Sequence, residues 1–538
     1  MKPAPSPWAP ALLGAVLLLF LLTPTTTVAA EVGEAQAVRA AGRDAKVVEE
    51  RAKNGELTHS ASKVEGHWEV AYFSGDEEVA LALVDPHSGE VTESWTGYQV
   101  LWKMARGYSG AFGHKLNAPY VFLPLCALFL VGLLDWRRPW RVASLDLLVL
   151  LGFGVSNYFF NRAEIGVSVP LQYPVLLYLL GRALWIGLRG RGEGIRPVWP
   201  AAWLLVAALF LMGFRVGLNM ADSGAIDVGY AGVVGADRIA HGEPLYENFP
   251  PDVSQGDTYG PVNYVAYVPF EAIWPWSGTW NDLPAAHGAA VAFDLLAFAL
   301  LIWLGLRIRP GPSGRKLAAT LAFGWAAYPY TAYALESNSN DTLVAALLVA
   351  VLLALARPAA RGVVAALATL TKFAPLLLAP MLAGYRARPR TIAAFSAAFL
   401  LTAALLMLWP AIDPGLHTFY DRTIAYQADR ESPFSIWGQV SGLEPLRIAI
   451  LVAVGIFAIA LAFWPKEKKL TQVAALGAAL LIGLQLTAQH WFYLYIVWFY
   501  PLLLVAMTSQ TKASEASPKV PREAAPQSYS RREATPNP

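Results

Sequence analysis

Charged residues are scarce in this sequence, and cysteine is nearly absent. Only 15% of the 538 residues are charged, whereas 56% are hydrophobic. Soluble proteins carry about a quarter charged residues, so this composition excludes a soluble globular chain and predicts a polytopic membrane protein. The single cysteine, Cys126, lies in an apolar run and excludes an intrachain disulfide. Because the basic residues form short clusters between apolar runs, the net charge of +2 gives no indication of a nucleic-acid partner.

Motifs for metal, nucleotide and acyl chemistry are also missing. The eight histidines are scattered, and no His-x-x-x-His or paired-cysteine pattern of the kind that binds zinc occurs. There is no Gly-Lys-Ser phosphate loop or dinucleotide fingerprint, and no serine elbow of the hydrolase type. We therefore expect neither a metal nor a cofactor.

The N-terminus predicts export of the segment that follows it. Lys2, the apolar run 11–22 and the small residues from Val28 to Ala30 are typical of a signal peptide over 1–30, with cleavage after Ala30. An uncleaved N-terminal anchor is the alternative. Either one places the next segment outside the cytoplasm.

That exported segment, 31–108, is polar and predicts a small α+β domain. Its pattern predicts a helix over 34–54 and strands over 67–73, 79–84 and 90–95. The turn in VDPHSGEV, between the last two strands, resembles the PepSY module of exported bacterial proteins. No residue in this segment suggests catalysis.

From residue 109 onward, apolar runs alternate with Arg and Lys clusters. Such clusters favour the cytoplasmic side and thereby orient the runs. The pattern predicts a mainly α, polytopic plasma-membrane protein with about eleven spans. Extra spans occupy 109–197, a core occupies 198–508, and 509–538 is expected to be a disordered cytoplasmic tail.

The run 362–384 conflicts with simple alternation. It is long enough to span, yet Arg357 and Arg361 precede it and Arg386 follows it. A complete span would leave one of these clusters outside. A re-entrant hairpin of two half-helices with Lys372 near its tip resolves the conflict, provided the broken backbone is buried in protein.

Several polar groups are expected on the outer face of the membrane. They are the long loop 222–269, the turn 336–341, the second loop 411–445 and His490. Polar groups that converge at one end of an apolar bundle are typical of a binding or active site.

Two acids, Asp222 and Asp227, stand near the start of the long loop. A helix over 227–241, ended by Gly242, is expected, so one interpretation makes Asp227 a helix cap. The other makes it a general base that takes a proton from a hydroxyl group. The residues alone leave both interpretations open.

Motifs spread over residues 200–508 occur in a defined order. They are Asp227-Val-Gly-Tyr230, Gly242-Glu-Pro-Leu-Tyr246, Tyr259-Gly-Pro261, Ser339-Asn340-Asp341, Lys372 with Pro375 in ATLTKFAPLLLAP, SPFSIWG at 432–438 and QHWFYLY at 489–495. In this order they resemble glycosyltransferase family 87. Those proteins are GT-C enzymes of many spans, related to mannosyltransferases that use polyprenyl-phosphate-mannose. An acidic insert separates Tyr246 from Tyr259, and Val228 stands where the family usually has an aromatic residue.

The resemblance implies transfer of a hexose, mannose first, from a polyprenyl-phosphate sugar to a lipid or polysaccharide acceptor at the extracytoplasmic face, with inversion. Asp227 would be the base, and Asp222 is the second candidate for that role. Residues expected to bind substrate are Arg215, Arg238, Tyr259, Asn340, Asp341, Lys372, Trp437 and His490. Arg422 and Arg430 in the second loop are further candidates for a cation near the leaving phosphate. For Arg215 a structural role is the alternative, because Asp294 in the fifth span is a suitable partner for a buried charge.

Two other functions fit a polytopic chain. A transporter or flippase of lipid-linked or small solutes is the first, but transporters tend to have broken helices at matching positions in two halves, and only one interrupted run is evident. A sensor or assembly protein whose exported segment binds a partner is the second. It would not need large outer loops with clustered acids.

Overall fold

The computed structural model describes residues 31–64, 66–107, 113–190, 194–430 and 432–509. The expected signal peptide and all but the first residue of the expected tail lie outside the described residues. The chain divides into two units, Met1–Lys103 and Met104–Pro538.

The described part of the first unit combines three short helices with one sheet. The helices are α1 (Glu34–Ala41), α2 (Ala45–Asn54) and α3 (Tyr98–Leu101), and the strands are β1 (Thr58–Val64), β2 (His67–Ser74), β3 (Glu77–Val84) and β4 (Val91–Thr96). The single helix predicted over 34–54 is divided because Asp44 accepts a hydrogen bond from the backbone N–H of Lys46 and starts a second helix.

The sheet is antiparallel in the order β1-β2-β3-β4. The first strand, THSASKV, was not predicted, because an edge strand with mostly exposed residues lacks the apolar alternation that identifies a strand. Small and apolar side chains from the helices and the sheet form one core, among them Ala37, Val47, Val70 and Ala82. The small α+β class is confirmed, while the PepSY resemblance stays a prediction.

The second unit is helical throughout its described part. Its helices are α4 (Pro119–Leu133), α5 (Val142–Phe160), α6 (Ile165–Arg189), α7 (Ala201–Ala221), α8 (Asp227–His241), α9 (Pro261–Val265), α10 (Val268–Glu271), α11 (Pro284–Ile308), α12 (Gly311–Ala327), α13 (Pro329–Glu336), α14 (Asp341–Leu353), α15 (Pro358–Thr371), α16 (Ala379–Ala383), α17 (Pro389–Pro410), α18 (Leu416–Tyr420), α19 (Tyr426–Asp429), α20 (Ile436–Gln439), α21 (Glu444–Phe463), α22 (Leu470–Gln485) and α23 (Ile496–Thr508).

Six helical segments are long and apolar enough to cross a membrane, namely α5, α6, α7, α11, the continuous run Pro389–Ala428 and α21. Shorter apolar helices of 10–17 residues include α4, α14, α15 and α22. The class of polytopic helical membrane protein is thus confirmed, whereas the count of about eleven spans stays a prediction. Some of the shorter helices result from breaks within an apolar run. For example, α12 and α13 are separate helices because Tyr328 is extended before Pro329.

The interrupted run 362–384 turns back, as the charge clusters predict. Helix α15 ends before Lys372, which has an extended conformation, and a 3₁₀ turn at Ala374–Leu378 leads into α16. The guanidinium of Arg361, near the start of α15, lies 5.4 Å from the ring centre of Tyr385, just after α16. Both ends of the hairpin therefore lie at the same end of the bundle, with Lys372 near the tip.

The loop 411–445, which was predicted to lie outside, contains helical turns and packs on the loop 222–269. Arg422 forms an ion pair with Asp257 of the acidic insert, with Nε to Oδ2 at 2.6 Å and Nη2 to Oδ1 at 2.7 Å. Phe419 lies 5.0 Å from Tyr246 and 6.1 Å from Phe373, ring centre to ring centre. The insert is thus a docking point that holds the second loop over the tip of the hairpin.

Candidate active site

Helix α8 begins at Asp227 and is fixed against the turn 336–341. The backbone N–H of Ile226, its N-cap residue, donates to the carbonyl of Ser337 at 3.0 Å. Among the residues that the structure describes, the carboxylate of Asp227 accepts one hydrogen bond, the local one from the N–H of Val228 at 2.9 Å. Its side chain is exposed to solvent. Asp227 thus stands in the first turn of the helix without being its cap.

Three glycines at a spacing of three residues allow α8 to lie close to its neighbours. A Cβ at Gly229 would stand 2.1 Å from the carbonyl oxygen of Asn338. At Gly232 and Gly235 it would meet the buried rings of Tyr267 and Tyr264, at 2.6 and 2.2 Å. The glycine face therefore brings the start of α8 against the turn that follows α13.

Asn338 connects that turn to the end of α7. Its side-chain amide donates to Ser223 Oγ at 3.0 Å and to the carbonyl of Gly224 at 3.1 Å, and its Oδ1 accepts from Asn219 at 2.8 Å. Its φ of 48° lies in the left-handed region, which asparagine tolerates better than most residues. A fully satisfied side chain in an uncommon conformation fixes the path of the turn.

Asp341 and Lys372 form a buried ion pair. Lys372 Nζ lies 2.5 Å from Asp341 Oδ1, and the same oxygen accepts a hydrogen bond from the Trp498 indole at 2.6 Å. The side chains are 8% and 0% exposed. A buried carboxylate with two donors on one oxygen is strongly held in place, because each donor offsets part of its desolvation. This pair joins the hairpin tip, the start of α14 and helix α23.

The ammonium group of Lys372 also lies among aromatic rings. Its Nζ is 5.5 Å from the ring centre of Tyr259, 5.7 Å from that of Tyr495 and 5.1 Å from that of Trp498. Tyr259 reaches this position because the next residue, Gly260, packs directly on the end of α15. The Tyr259-Gly-Pro motif therefore holds one wall of the site against the hairpin.

Asn340 pairs with a residue that was not predicted, Asn263 of α9. Its side-chain N–H donates to Asn263 Oδ1, and both side chains are fully buried. Asn340 Oδ1 and Asn263 Nδ2 have no hydrogen-bond partner within the described residues. These two buried amide atoms retain hydrogen-bonding capacity for a substrate hydroxyl or a water molecule.

A second cation, Arg430, stands at the end of α19. Burial lowers its pKa, but the neighbouring tyrosines Tyr495, Tyr426 and Tyr259 and the carboxylate of Asp227 outweigh that effect and raise the pKa overall. Arg430 therefore stays charged and shares its electrostatic surroundings with the predicted base.

His490 is close enough to Arg430 to be affected by its charge. Burial and the positive charge of Arg430 hold the pKa of His490 well below its usual range, so the ring is neutral at physiological pH. Its Nδ1 lies 2.9 Å from Ser432 Oγ, and its ring contacts Phe434. His490 therefore supports the loop that carries SPFSIWG and is a neutral group at the edge of the site.

The surroundings of Asp227 are those of a recess. Removal from bulk water raises the pKa of its carboxyl, and the charges of Arg430 and Lys372 lower it in part. Yet the side chain remains accessible to water. Both observations agree if the carboxylate faces a small space enclosed by protein. In such a space a carboxylate is a stronger proton acceptor than on an open surface.

The remaining predicted residues are held elsewhere. Arg215 is buried, and its Nη2 pairs with Asp294 Oδ1 at 2.9 Å. This pairing is the structural role that was the alternative to substrate binding for Arg215. Asp222 accepts from the backbone N–H of Lys115 at 3.2 Å. Arg238 donates to the carbonyls of Pro244 and Asn248 and closes the loop after α8, and Trp437 donates to the carbonyl of Leu486 at 2.9 Å.

The structure therefore brings together Asp227, Tyr259, Asn340, Asp341, Lys372 and His490, and adds three residues that were not predicted for the site: Asn263, Tyr495 and Trp498. Arg430, one of the two further arginine candidates in the loop 411–445, also lies here, and no sequence signal separated it from Arg422. Tyr495 is the last residue of the QHWFYLY motif and Trp498 follows three residues later, so that motif was the available signal for them.

Comparison with known proteins agrees with this architecture. Residues 258–488 match the model of glycosyltransferase family 87, which confirms the resemblance drawn from the motifs. This range contains every residue of the assembled site except Asp227, His490, Tyr495 and Trp498. The class defined by fold and site is therefore a polytopic helical membrane protein, of which residues 258–488 are similar to glycosyltransferase family 87.

One solved structure to which part of the chain is similar is that of ArnT from Cupriavidus metallidurans bound to undecaprenyl phosphate. The sequences are 15% identical, and the TM-score is 0.41. The match covers 57% of this chain and 59% of that protein. No curated protein matches the chain.

Proposed function

We propose that this protein is an integral membrane glycosyltransferase that moves a hexose, with mannose as the first candidate, from a polyprenyl-phosphate sugar to a lipid or polysaccharide acceptor. The observation that carries the proposal is the position of Asp227. Its carboxylate is accessible, but it lies in a recess where two cations, Arg430 and Lys372, act on it. The reaction takes place at the extracytoplasmic face of the plasma membrane.

Asp227 supplies the base. Its Oδ accepts the proton of the acceptor hydroxyl while that oxygen attacks the anomeric carbon of the donor sugar. The raised pKa of Asp227 suits this step, because a base works best when its pKa approaches the pH at which it operates. A single displacement from the side opposite to the phosphate inverts the configuration at the anomeric carbon.

Lys372 and Arg430 act on the leaving group. As the bond between the anomeric carbon and the phosphate oxygen breaks, the electron pair goes to that oxygen and polyprenyl phosphate gains negative charge. Fixed cations at the position where charge develops lower the barrier. Because the ammonium of Lys372 is already held by Asp341, it is oriented before the substrate arrives.

Aromatic and amide groups complete the site. The rings of Tyr259 and Tyr495, which flank the Lys372 ammonium, provide flat surfaces for the sugar or for the first isoprene unit. The free amide atoms of Asn340 and Asn263 can receive or donate hydrogen bonds to sugar hydroxyls. The donor is lipid-linked in this proposal because the family resemblance implies it and the sequence has no nucleotide-binding motif.

The experiment is a transfer assay with the purified chain in proteoliposomes. Polyprenyl-phosphate mannose, glucose and arabinose, each radiolabelled, are offered with an extract of membrane lipids as acceptor. Transfer from the mannose donor, into a product whose anomeric configuration is opposite to that of the donor, supports the proposal. Labelled donor that crosses the bilayer without any transfer would instead support a flippase, and a product with retained configuration would remove the single-displacement mechanism.

A further inference from the structure

A basic recess lies at the end of the bundle where the re-entrant hairpin begins and ends. Its volume is about 870 Å³. Among the described residues that line it there is one acid, Glu467, and six basic side chains: Arg361, Arg386, Arg388, Lys466, Lys468 and Lys469. Lys372, just past the end of α15, is eleven positions after Arg361, which amounts to about 16 Å along the helix axis. The recess is therefore separate from the candidate active site.

Arg361 is the residue that points to a ligand. Its side chain is almost completely buried, at 2% exposure, and one Nη donates to the carbonyl of Leu355. The Nε and the other Nη have no hydrogen-bond partner within the described residues. A buried guanidinium with free donors is costly unless an anion accepts from them. The rings of Tyr385 and Phe395, at 5.4 and 5.5 Å, fix its plane.

The geometry of the free donors suits a phosphate. The fork of an arginine can donate two parallel hydrogen bonds to one phosphate group, which a lysine cannot do. Lys468 is also buried, at 5% exposure, and burial lowers its pKa. Arg386, Arg388, Lys466 and Lys469 are exposed and surround the entrance.

Large apolar side chains near the lining residues in the sequence are exposed: Ile392 to 40%, Phe463 to 75% and Trp464 to 54%. They belong to α17, which starts here, and to the end of α21 and the residue that follows it. Exposed aromatic and aliphatic side chains at the end of apolar helices are typical of a membrane interface. A lipid could therefore place its headgroup in the recess while its chains stay in the bilayer.

We propose that this recess binds the phosphate group of an anionic membrane lipid, at the end of the bundle opposite to the candidate active site. Such a lipid accepts hydrogen bonds from the free donors of Arg361 and links the base of the hairpin to the loop between α21 and α22. Basic pockets between membrane helices bind anionic headgroups in this way.

The test measures lipid retention by native mass spectrometry on the purified full-length chain. The probes are palmitoyl-oleoyl phosphatidylglycerol, phosphatidylcholine with the same acyl chains, and inorganic phosphate. We expect phosphatidylglycerol, which is anionic, to bind in preference to phosphatidylcholine. The double variant Arg386→Gln/Lys466→Gln changes only exposed residues at the entrance. It should weaken the binding of phosphatidylglycerol roughly tenfold or more.

The matched control is Arg357→Gln/Arg390→Gln, which removes the same charge from two exposed arginines of the same face that do not line the recess. It should change the affinity by less than about twofold. Equal losses in both double variants, or equal binding of the two lipids, would overturn the proposal. If inorganic phosphate displaces phosphatidylglycerol at equal concentration, the site binds free phosphate and the assignment to a lipid is wrong.

Discussion

The ion pair of Lys372 and Asp341 offers a way to separate a structural role from a role in transfer. Both side chains are buried, and Nζ to Oδ1 is 2.5 Å. Lys372→Met leaves the Asp341 carboxylate buried without its cation, which costs about 3–5 kcal/mol of stability. Asp341→Asn/Lys372→Met removes both charges, and the neutral amide can still accept from Trp498. The double variant should therefore regain most of the lost stability.

Activity should respond differently from stability. If the Lys372 ammonium stabilises the departing phosphate, both variants lose roughly 10²–10³-fold in the rate of transfer, because each lacks that cation. The apparent unfolding temperature in detergent and the rate of transfer from the lipid-linked donor are measured on the same preparations. Recovery of the rate in the double variant would show that Lys372 serves only to neutralise Asp341 and does not act on the departing phosphate.

A second buried pair provides the control. Arg182 and Asp146 join α6 to α5 at 2.9 Å, with exposures of 8% and 0% that equal those of the site pair. Asp146→Asn/Arg182→Met should alter the unfolding temperature and leave the rate per folded molecule unchanged. An equal loss of rate in this variant would show that any buried pair affects transfer through the fold.

Two further predictions concern the base and its helix. Burial raises the pKa of Asp227 and the charge of Arg430 lowers it in part, so the rate of transfer should fall on acidification at a pH above the ordinary aspartate range. Arg430→Gln should move this fall to higher pH. An unchanged midpoint of the pH–rate curve would show that Arg430 does not act on Asp227. Gly229→Ala places a Cβ about 2.1 Å from the Asn338 carbonyl and should lower both unfolding temperature and rate, whereas Gly217→Ala in α7, where nothing lies within 4 Å, should be neutral or slightly stabilising.

Charge and hydropathy predicted the large features of the membrane unit. The re-entrant hairpin followed from basic clusters on both sides of one apolar run, since a charge cluster cannot cross the membrane at low cost. The pairing of Arg215 with Asp294 followed from the same rule. These predictions worked because the penalty for an unpaired charge in a bilayer is large and depends little on the details of packing.

Finer features depend on contacts between distant parts of the chain. The polar strand Thr58–Val64 is held by its partner strand, and the helical turns at 411–429 are held by contacts such as Arg422 with Asp257. Arg430, which follows these turns, acts electrostatically on Asp227, and its position depends on the docking of the turns on the acidic insert. Such contacts leave no periodic pattern in the sequence, and they determine which arginine acts on Asp227.

We expect Asp227 to accept the proton of the acceptor hydroxyl, and a direct comparison of two carboxamide variants tests this role. Asp227→Asn keeps the size of the side chain and removes its basicity, so transfer should fall roughly 10²–10⁴-fold. Asp222→Asn, which alters a carboxylate held by Lys115, should retain most of the wild-type rate. Transfer by Asp227→Asn at the wild-type rate, in a preparation that is folded and binds the donor, would contradict the account.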